Sequence, residues 1–468
     1  MRHLTAVLLA AALLAAATSA AVADPFAAFA PVADAPTNRG MKPTRWVAFG
    51  RTHYYQVPPN PVGTVVAFHG CARAAKAFFP WNPEDCSECL GFPEHVSQTK
   101  QALALGYAML ALEPLDFRHL CWSSSTTGIY LNDQPNATEL IRSFVSSQGL
   151  RDKPLYLLGT SSGGTLALKL AAALAKEAEA RDRAQRDRRG AGQEAAADEA
   201  QEWLPRISGV ISEESVPTNF NAGDADGKLR YRSFPPTIFV LMDGGNSHLD
   251  APQVVKFLED GGVPAAVVMS TARAVTPTYL SNRIPAITPF QSGLIAGAMR
   301  QIGMLDANGW LLGDPERNRI VRQNTSSPAT DWDLKLKYLL PWLADNSPTL
   351  SLVYRNCSIQ QALNVAYSRH DAISDFMTVA LKWLEAKGKA DVDLLVEQYT
   401  VKDFNLTALT VDRGPATPAK ASAPAVAPEA QPPTAAAGAP APTTATGAAA
   451  PATATKAAVP ATATEAAA

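Results

Sequence analysis

Short apolar runs alternate with amphipathic segments between Thr44 and about Ser270. Gly63–Phe68 is almost continuously apolar and rich in β-branched residues, as in a central strand that is buried on both faces. The other predicted strands are Arg45–Gly50, Thr52–Val57, Tyr107–Leu112, Leu155–Leu158, Ile207–Ile211, Thr237–Met242 and Ala265–Met269. Because helical patterns separate most of these runs, the sequence predicts an α/β fold with a mostly parallel central sheet and helices on both faces.

The segments between the strands have the apolar period of helices. Ala251–Asp260 ends at Gly261-Gly262, which is a typical helix stop signal. The other predicted helices are Pro93–Leu105, Asn136–Ser147, a long helix after Ser161 that continues into a charged low-complexity insertion at about 176–200, and Val365–Ala386.

The pattern changes between Ala272 and Leu363. Proline and asparagine interrupt short amphipathic helices there, and strand signals are scarce. We interpret 272–363 as a helical cap inserted after the last strand of a core at 44–271. A small separate helical domain is the alternative, and a closing helix is expected at 364–390.

The two ends of the sequence lack the pattern of a packed domain. Residues 1–23 combine a basic residue, an apolar run and a small-residue cleavage motif, so we expect a cleaved signal peptide rather than a membrane anchor. Residues 414–468 are dominated by Ala, Pro, Thr and Gly, which bury too little apolar surface to order, so we expect a disordered tail. Residues 24–43 are assigned to an N-terminal segment and 391–413 to a linker.

The charge and the glycosylation motifs indicate the cellular route. The formal net charge of −2 offers no bulk attraction for nucleic acid or an anionic membrane. After the signal peptide, no run reaches the ~20 apolar residues that a membrane helix needs. Asn-x-Ser/Thr sequons occur at Asn136, Asn324, Asn356 and Asn405. We therefore expect a secreted, extracellular protein with no nucleic-acid partner and no stable membrane span; its oligomeric state stays open.

The strongest chemical signal is a G-x-S-x-G motif that lies between an apolar strand and a helix, in the sequence LYLLGTSSGG from Leu155. In that context the serine sits on a strained turn, and the flanking glycines let the strand and the helix pass close together. Ser161 is therefore the candidate nucleophile. The backbone N–H of Ser162, at the helix N-terminus, is a candidate oxyanion-hole donor. A glycine-rich phosphate-binding turn is the alternative interpretation.

A second signal, His69-Gly70-Cys71, follows the strand Gly63–Phe68. Together with the serine motif and the strand order, it makes Thr44–Ser270 resemble the α/β-hydrolase superfamily. The resemblance implies that the loop after this strand supplies the second oxyanion-hole N–H, at Cys71 or its neighbour. His69 would then support the loop rather than transfer protons.

A narrower resemblance is to a group of plant and green-algal hydrolases. It depends on four features, which are His69-Gly70-Cys71, the C-x-x-C-L-G motif from Cys86, Cys121-Trp122, and Leu363-Asn-Val-Ala followed by a histidine. The resemblance spans most of residues 44–390. It implies a fold and a hydrolytic reaction type but no substrate.

The general base should be a histidine that follows the nucleophile, because the triad of this fold runs in the order Ser, acid, His. Only His248 and His370 follow Ser161 in the sequence. His370 lies beyond the last strand, on the expected side, although the predicted cap intervenes. We therefore predict His370 as the base, with His248 as the alternative.

The acid that orients the histidine is expected in the loop after Thr237–Met242, where two aspartates occur. We favour Asp243 narrowly over Asp250, which can equally be the N-cap of the next helix. Glu213 and Glu214, after the preceding strand, are a third option.

Five cysteines, Cys71, Cys86, Cys89, Cys121 and Cys357, predict disulfides with one thiol left over in an oxidising compartment. Zinc is disfavoured because no second Cys/His pair at finger spacing accompanies the C-x-x-C motif. In the fold that the resemblance implies, Cys71 and Cys121 follow neighbouring strands. This favours a Cys71–Cys121 bridge beside Cys86–Cys89, with crossed pairing left open.

These residues predict an esterase-like serine hydrolase that works through an acyl-enzyme on Ser161 and needs no cofactor or metal. The expected substrate is a small-molecule or wall-linked carboxylic ester, and a serine peptidase is an alternative. A different class of protein is also considered: an extracellular-matrix binding protein that keeps the fold without turnover. A large separation between His370 and Ser161 would favour that second class.

Overall fold

The computed structural model describes residues 38, 40–125, 131–190, 203–218, 229–231, 233–316, 332–343, 350, 352 and 357–401. Several predictions fall outside these residues: the signal peptide, most of the N-terminal segment, the end of the charged insertion, most of the linker, the tail, and the sequons at Asn324, Asn356 and Asn405.

Eight strands form one sheet in the order β1-β2-β4-β3-β5-β6-β7-β8. They are β1 (Thr44–Ala48), β2 (Arg51–Gln56), β3 (Gly63–Phe68), β4 (Tyr107–Leu112), β5 (Leu155–Thr160), β6 (Gly209–Glu213), β7 (Thr237–Met242) and β8 (Ala265–Ser270). β2 pairs antiparallel with β1 and β4, and all other neighbours pair in parallel. Strands β3 to β7 are buried at every residue, which explains why their sequences are largely apolar.

The helices that the structure describes are α1 (Pro93–Ala104), α2 (Gln134–Ser147), α3 (Ser162–Gly190), α4 (Ser247–Asp260), α5 (Tyr279–Arg283), α6 (Pro289–Gln301), α7 (Trp332–Leu339), α8 (Ser358–Ala366), α9 (Met377–Glu385) and α10 (Val392–Tyr399). A short 3-10 helix spans Ala75–Phe78.

Two apolar cores lie on opposite faces of the sheet, since neighbouring side chains of a strand point to opposite sides. Val66 and Phe68 of β3 pack with α2, α3 and α4. Val65 and Ala67 of the same strand pack with α1 and α9. The predicted α/β architecture, a mostly parallel sheet with helices on both faces, is confirmed.

The helices that follow β8 have a third apolar core of their own. Its buried members all lie between Val275 and Ala366; they come from α5 to α8, the segments between them and the segment just before α5. Trp332 and Leu336 of α7 are fully buried in this core. The described part of the predicted cap is therefore a helical layer that packs internally.

The predicted continuous helix Val365–Ala386 is wrong: α8 ends at Ala366, and α9 begins at Met377. Ser368 has a left-handed φ of 58°, and the N–H of Arg369 donates to the carbonyl of Asn364 at 2.8 Å. This pattern satisfies the last carbonyls of α8 and stops the helix. The Ser368 hydroxyl donates to the carbonyl of Ser270, at the end of β8, at 2.9 Å. The break therefore brings the residues after Ser368 to the end of the sheet.

Candidate active site

The turn at Ser161 joins β5 to α3, and its two flanking glycines leave no room for a side chain. Ser161 has a φ of 56°, in the left-handed region that non-glycine residues rarely adopt. A Cβ on Gly159 would lie 2.3 Å from the carbonyl oxygen of Gly163, and one on Gly163 would lie 2.1 Å from that of Phe68. The two glycines thus let strand, turn and helix meet, and they project the serine side chain above the sheet.

His370 lies against Ser161. Its Nε2 is 2.7 Å from the Ser161 Oγ, a hydrogen-bond distance. The ring belongs to the segment between α8 and α9, which exists because α8 ends just before Ser368. His248, the alternative base, lies in the first turn of α4 instead.

Glu214 is the carboxylate beside His370. Its Oε2 lies 3.3 Å from the His370 Nδ1. Its Oε1 accepts the backbone N–H of Met242, and the Ser247 hydroxyl donates to its carbonyl at 3.1 Å. Glu214 is buried and has a left-handed φ of 49°, which turns its side chain back after the end of β6.

Among the described residues, Glu214 and not the favoured Asp243 is the carboxylate in contact with the His370 ring. The side chains of Asp243 and Asp250 are both exposed. Asp250 lies within α4, which starts at Ser247, and is therefore not the N-cap of that helix. The acid beside His370 comes from the end of β6, next to the strand that carries the serine, whereas the favoured prediction placed it after β7. Glu214 was one of the two residues of the third option.

Glu214 raises the pKa of His370. The contact between the Glu214 carboxylate and the ring is the largest cause; burial of the ring works against it, and the charges of Glu214, Asp371 and Glu316 add to the increase. The carboxylate lies on the Nδ1 side of the ring and favours the tautomer with its proton on Nδ1, so Nε2 has a free lone pair for the serine proton. A raised pKa means that the imidazolium formed by proton transfer is stabilised.

The neighbouring Glu213 has a different environment. It is buried, it accepts hydrogen bonds from the Gln98 amide and the Thr160 hydroxyl at 2.8 Å, and burial raises its pKa to about 8. Its backbone carbonyl accepts the N–H of Ser161 at 2.8 Å. Glu213 therefore supports the turn from below, while Glu214 faces the histidine.

The two predicted oxyanion-hole positions lie side by side. The disulfide Cys71–Cys121 joins the loops after β3 and β4. The Ser162 hydroxyl donates to the Cys71 sulfur at 3.3 Å and accepts the N–H of Trp122 at 3.3 Å. Within the described residues, the backbone N–H groups of Cys71 and Ser162 have no acceptor.

Both favoured disulfides are confirmed. Cys71–Cys121 and Cys86–Cys89 are bonded, and Cys357 is a buried free thiol.

His69 is fully buried, and its Nδ1 donates to the carbonyl of Gly70 at 2.8 Å. Its Nε2 lies 3.6 Å from Glu113, so the ring is held beneath the loop and away from Ser161.

A cleft of about 280 Å³ opens beside Ser161 and His370. Its walls are formed by the loop after β3, the turn at Ser161, α8 and the segment after His370. This volume lies just below the ~300–1,000 Å³ range of small-molecule sites. In the part of the chain that the structure describes, no group of three or more His, Cys, Asp or Glu side chains is arranged to hold a metal ion.

The strand order and the serine turn decide the fold. An antiparallel second strand, the order 1-2-4-3-5-6-7-8 and a nucleophile-type turn after β5 occur together. The chain has the α/β-hydrolase fold. The narrower resemblance to the plant and green-algal group stays a prediction.

None of the described helices is both long enough and apolar enough to cross a bilayer.

Comparisons with known proteins give structural likeness only. No protein-family profile matches the chain, and no curated protein matches its sequence. Among solved structures, a hormone-sensitive lipase from a metagenome library is similar at 14% identity over 50% of this chain and 75% of that chain, with a TM-score of 0.30. MGS-M1, an alpha/beta hydrolase from a Medee basin deep-sea metagenome library, is similar at 14% identity over 51% and 85%, with a TM-score of 0.30. Carboxyl esterase 2 from the mycorrhizal fungus Tuber melanosporum is similar at 14% identity over 49% and 76%, with a TM-score of 0.28.

Proposed function

We propose that this chain is a secreted serine hydrolase that cleaves carboxylic esters through an acyl-enzyme on Ser161. One observation carries the proposal: Ser161, His370 and Glu214 form a chain of contacts, with 2.7 Å from Oγ to Nε2 and 3.3 Å from Nδ1 to the carboxylate. Such a chain activates a serine hydroxyl that is otherwise a weak nucleophile.

The proposed reaction has two halves. The Ser161 Oγ attacks the ester carbonyl while His370 Nε2 takes its proton, and Glu214 stabilises the imidazolium. The N–H groups of Cys71 and Ser162 donate to the oxyanion of the tetrahedral intermediate. His370 then returns the proton to the departing alkoxide, which leaves as the alcohol. Water, deprotonated by His370, attacks the acyl-enzyme and releases the acid and free Ser161.

Secretion is part of the proposal because two kinds of observation agree with it. The first is the signal-peptide pattern at 1–23. The second is the pair of disulfides, Cys71–Cys121 and Cys86–Cys89, which persist in oxidising compartments.

The binding-protein alternative loses its motivating observation. A decayed triad predicted a large separation between His370 and Ser161. The hydrogen-bond distance between them instead favours turnover.

Labelling with a fluorophosphonate probe tests the proposal. We expect the purified full-length protein to be labelled at Ser161, and labelling to be lost in Ser161→Ala and reduced by at least roughly a hundredfold in rate in His370→Ala. His248→Ala is the matched control, since it removes the other histidine after the nucleophile, and it should label like the wild type. A folded wild-type protein that resists the probe would refute the serine mechanism.

A further inference from the structure

The Cys71–Cys121 disulfide lies at the loop after β3, directly beside the nucleophile. Strands β3 and β4 are parallel neighbours, so the loops that follow them leave the sheet at the same edge. The first of these loops packs on the serine turn: a Cβ on Gly70 would lie 3.5 Å from the Cβ of Ser161. The disulfide joins this loop to the loop after β4. A shift of the disulfide would therefore move the Cys71 N–H relative to Ser161.

The backbone beside each half of the disulfide has a conformation that non-glycine residues avoid. Ala72, which follows Cys71, has a φ of 61°, and Leu120, which precedes Cys121, has a φ of 53°. Such residues persist only where surrounding contacts fix them. Here the backbone N–H of Ala72 donates to the carbonyl of His119 at 2.9 Å, and the disulfide is the covalent link between the same two loops. The conformation of the loop after β3 therefore depends on its link to the loop after β4.

The Ser162 hydroxyl connects this pair of loops to the serine turn. It donates to the Cys71 sulfur at 3.3 Å and accepts the backbone N–H of Trp122 at 3.3 Å. The Trp122 ring packs edge-on against Phe68 of β3, with the ring centroids 5.0 Å apart, and this contact fixes the position of Trp122. Ser162 also carries the second proposed oxyanion-hole N–H. Its side chain therefore helps to set the spacing between the two backbone donors.

The two disulfides of the chain differ in their access to solvent. Cys71 is exposed and Cys121 is partly exposed, whereas Cys86 is only 4% and Cys89 only 1% exposed. Thiol–disulfide exchange requires a thiolate to reach one of the two sulfurs, so it depends on access. A small dithiol should therefore open Cys71–Cys121 before it opens Cys86–Cys89.

We propose that the Cys71–Cys121 disulfide and the Ser162 hydroxyl position the oxyanion-hole donors, so that turnover requires the oxidised disulfide and falls sharply when a dithiol opens it. The inference rests on the proposed function. In the opening step, a thiolate of the dithiol attacks one sulfur and forms a mixed disulfide, and its second thiol then closes a cyclic disulfide. Two electrons and two protons pass to Cys71 and Cys121, which become thiols. The chain is accordingly inactive in a reducing compartment and becomes active where the disulfide forms.

A redox titration of the full-length protein tests the inference without any substitution. The protein is incubated with graded dithiothreitol, and alkylation followed by peptide mapping identifies the disulfide that has opened. We expect kcat on p-nitrophenyl butyrate to fall roughly a hundredfold as Cys71–Cys121 opens, with KM within about twofold, because oxyanion donors act mainly in the transition state. Reoxidation should restore kcat, and the far-UV circular dichroism should stay unchanged throughout.

Two double variants separate the disulfides. Cys71→Ser/Cys121→Ser should have the low kcat of the reduced protein and no response to dithiothreitol. Cys86→Ala/Cys89→Ala is the matched control, since it removes the buried disulfide and retains the exposed one. It should keep both the wild-type kcat and the wild-type response to dithiothreitol.

Replacing Ser162 tests the hydroxyl separately from the disulfide. Ser162→Ala keeps the backbone N–H and removes only the contacts with Cys71 and Trp122. We expect kcat to fall roughly tenfold with little change in KM, and Ser162→Thr, which keeps a hydroxyl, to recover much of the loss. A trifluoromethyl ketone, which forms a tetrahedral adduct with an oxyanion, should bind Ser162→Ala more weakly in proportion to the loss of kcat/KM. A hydroxyl that only stabilised the fold would leave the affinity for this inhibitor unchanged.

The outcomes distinguish this inference from the proposed function. If the protein keeps its kcat with Cys71–Cys121 open and Cys86–Cys89 intact, the inference is refuted and the serine hydrolase stands. The inference is also refuted if kcat falls only together with the circular dichroism, because the disulfide then maintains the fold and not the site. If the oxidised wild type hydrolyses no ester and resists the fluorophosphonate, the proposed function fails and takes the inference with it. Should Cys71→Ser/Cys121→Ser not fold, the redox titration of Cys86→Ala/Cys89→Ala, which retains only the exposed disulfide, decides.

Discussion

Two adjacent glutamates at the end of β6 have different roles because their side chains have different neighbours. Glu213 and Glu214 are both buried, but Glu213 faces Gln98 and Thr160, whereas Glu214 faces His370. Glu213 is the last residue of β6, and its carboxylate is held by Gln98 and Thr160 on one side of the sheet. The left-handed backbone at Glu214 then directs its carboxylate towards the ring.

Replacing Glu214 tests this assignment. We expect Glu214→Gln to lower kcat roughly 10³–10⁴-fold on an ester substrate, as loss of the orienting acid does in serine proteases. Asp243→Asn, which removes the exposed acid that the sequence favoured, is the matched control and should retain activity within about twofold. Equal loss in the two variants, or loss in Asp243→Asn alone, would contradict the assignment.

The same replacement should move the pH profile. Glu214 raises the pKa of His370, and the base must be neutral to act, so the wild-type acid limb of kcat/KM lies above the ordinary histidine value. Removing the carboxylate lowers that pKa, and the residual activity of Glu214→Gln should therefore extend to lower pH. An acid limb that stays in place would show that another group sets it.

At the scale of elements, the site depends on close approach between β3, β5 and α3. Gly163 occupies the first turn of α3 with its Cα against the backbone of β3. The obstacle to a larger residue is a carbonyl oxygen and not a side chain, so it cannot move aside without shifting a central strand of the sheet. This constraint explains why the short G-x-S-x-G motif predicts a close strand–turn–helix arrangement around Ser161.

Alanine substitutions at helical glycines test the constraint. We expect Gly163→Ala to lower the free energy of unfolding by more than about 2 kcal/mol, or to prevent folding, because the new Cβ overlaps the carbonyl of Phe68. Gly293→Ala in α6 is the control: its Cβ would meet nothing within 4 Å, and alanine favours a helix by ~0.5–1 kcal/mol. Denaturant unfolding of both variants gives the comparison, and similar stabilities would disprove the packing argument.

For the whole molecule, a buried ion cluster connects the helical layer after β8 to the rest of the fold. Arg283 of α5 donates to Glu94 of α1 at 2.9 Å and to Asp375 at 2.7 Å, and all three side chains are buried. Glu94 also accepts from the backbone N–H and the hydroxyl of Ser374 at 2.9 Å. The cluster therefore fixes the segment that carries His370 between α1 and the helical layer.

Removing the central cation should unbalance this cluster. We expect Arg283→Met to destabilise the protein by roughly 3–5 kcal/mol, because it leaves the buried Glu94 without its counter-charge and leaves Asp375 with Arg273 alone. Lys256→Met removes a solvent-exposed pair with Asp260 and should cost no more than about 0.5 kcal/mol. Equilibrium unfolding in urea measures both, and a mild effect of Arg283→Met would mean that the carboxylates are neutralised in another way.

The amino-acid sequence determined the parts of this protein that depend on local pattern. The central strands β3 to β7 follow from largely apolar runs, because strands buried on both faces need mostly apolar side chains. The serine turn follows from Gly159 and Gly163, because only glycine fits so close to another backbone.

Only the tertiary structure decided which distant groups meet. Glu214 is 156 positions before His370 in the sequence, and its identity depends on the order of strands and on a left-handed residue that carries no sequence signal. The helix break at Ser368 likewise depends on a contact with a residue far away in the chain, because the Ser368 hydroxyl donates to the carbonyl of Ser270. Local sequence patterns reflect whether each residue is buried or exposed. The site, by contrast, forms only where several elements approach one another in the folded chain.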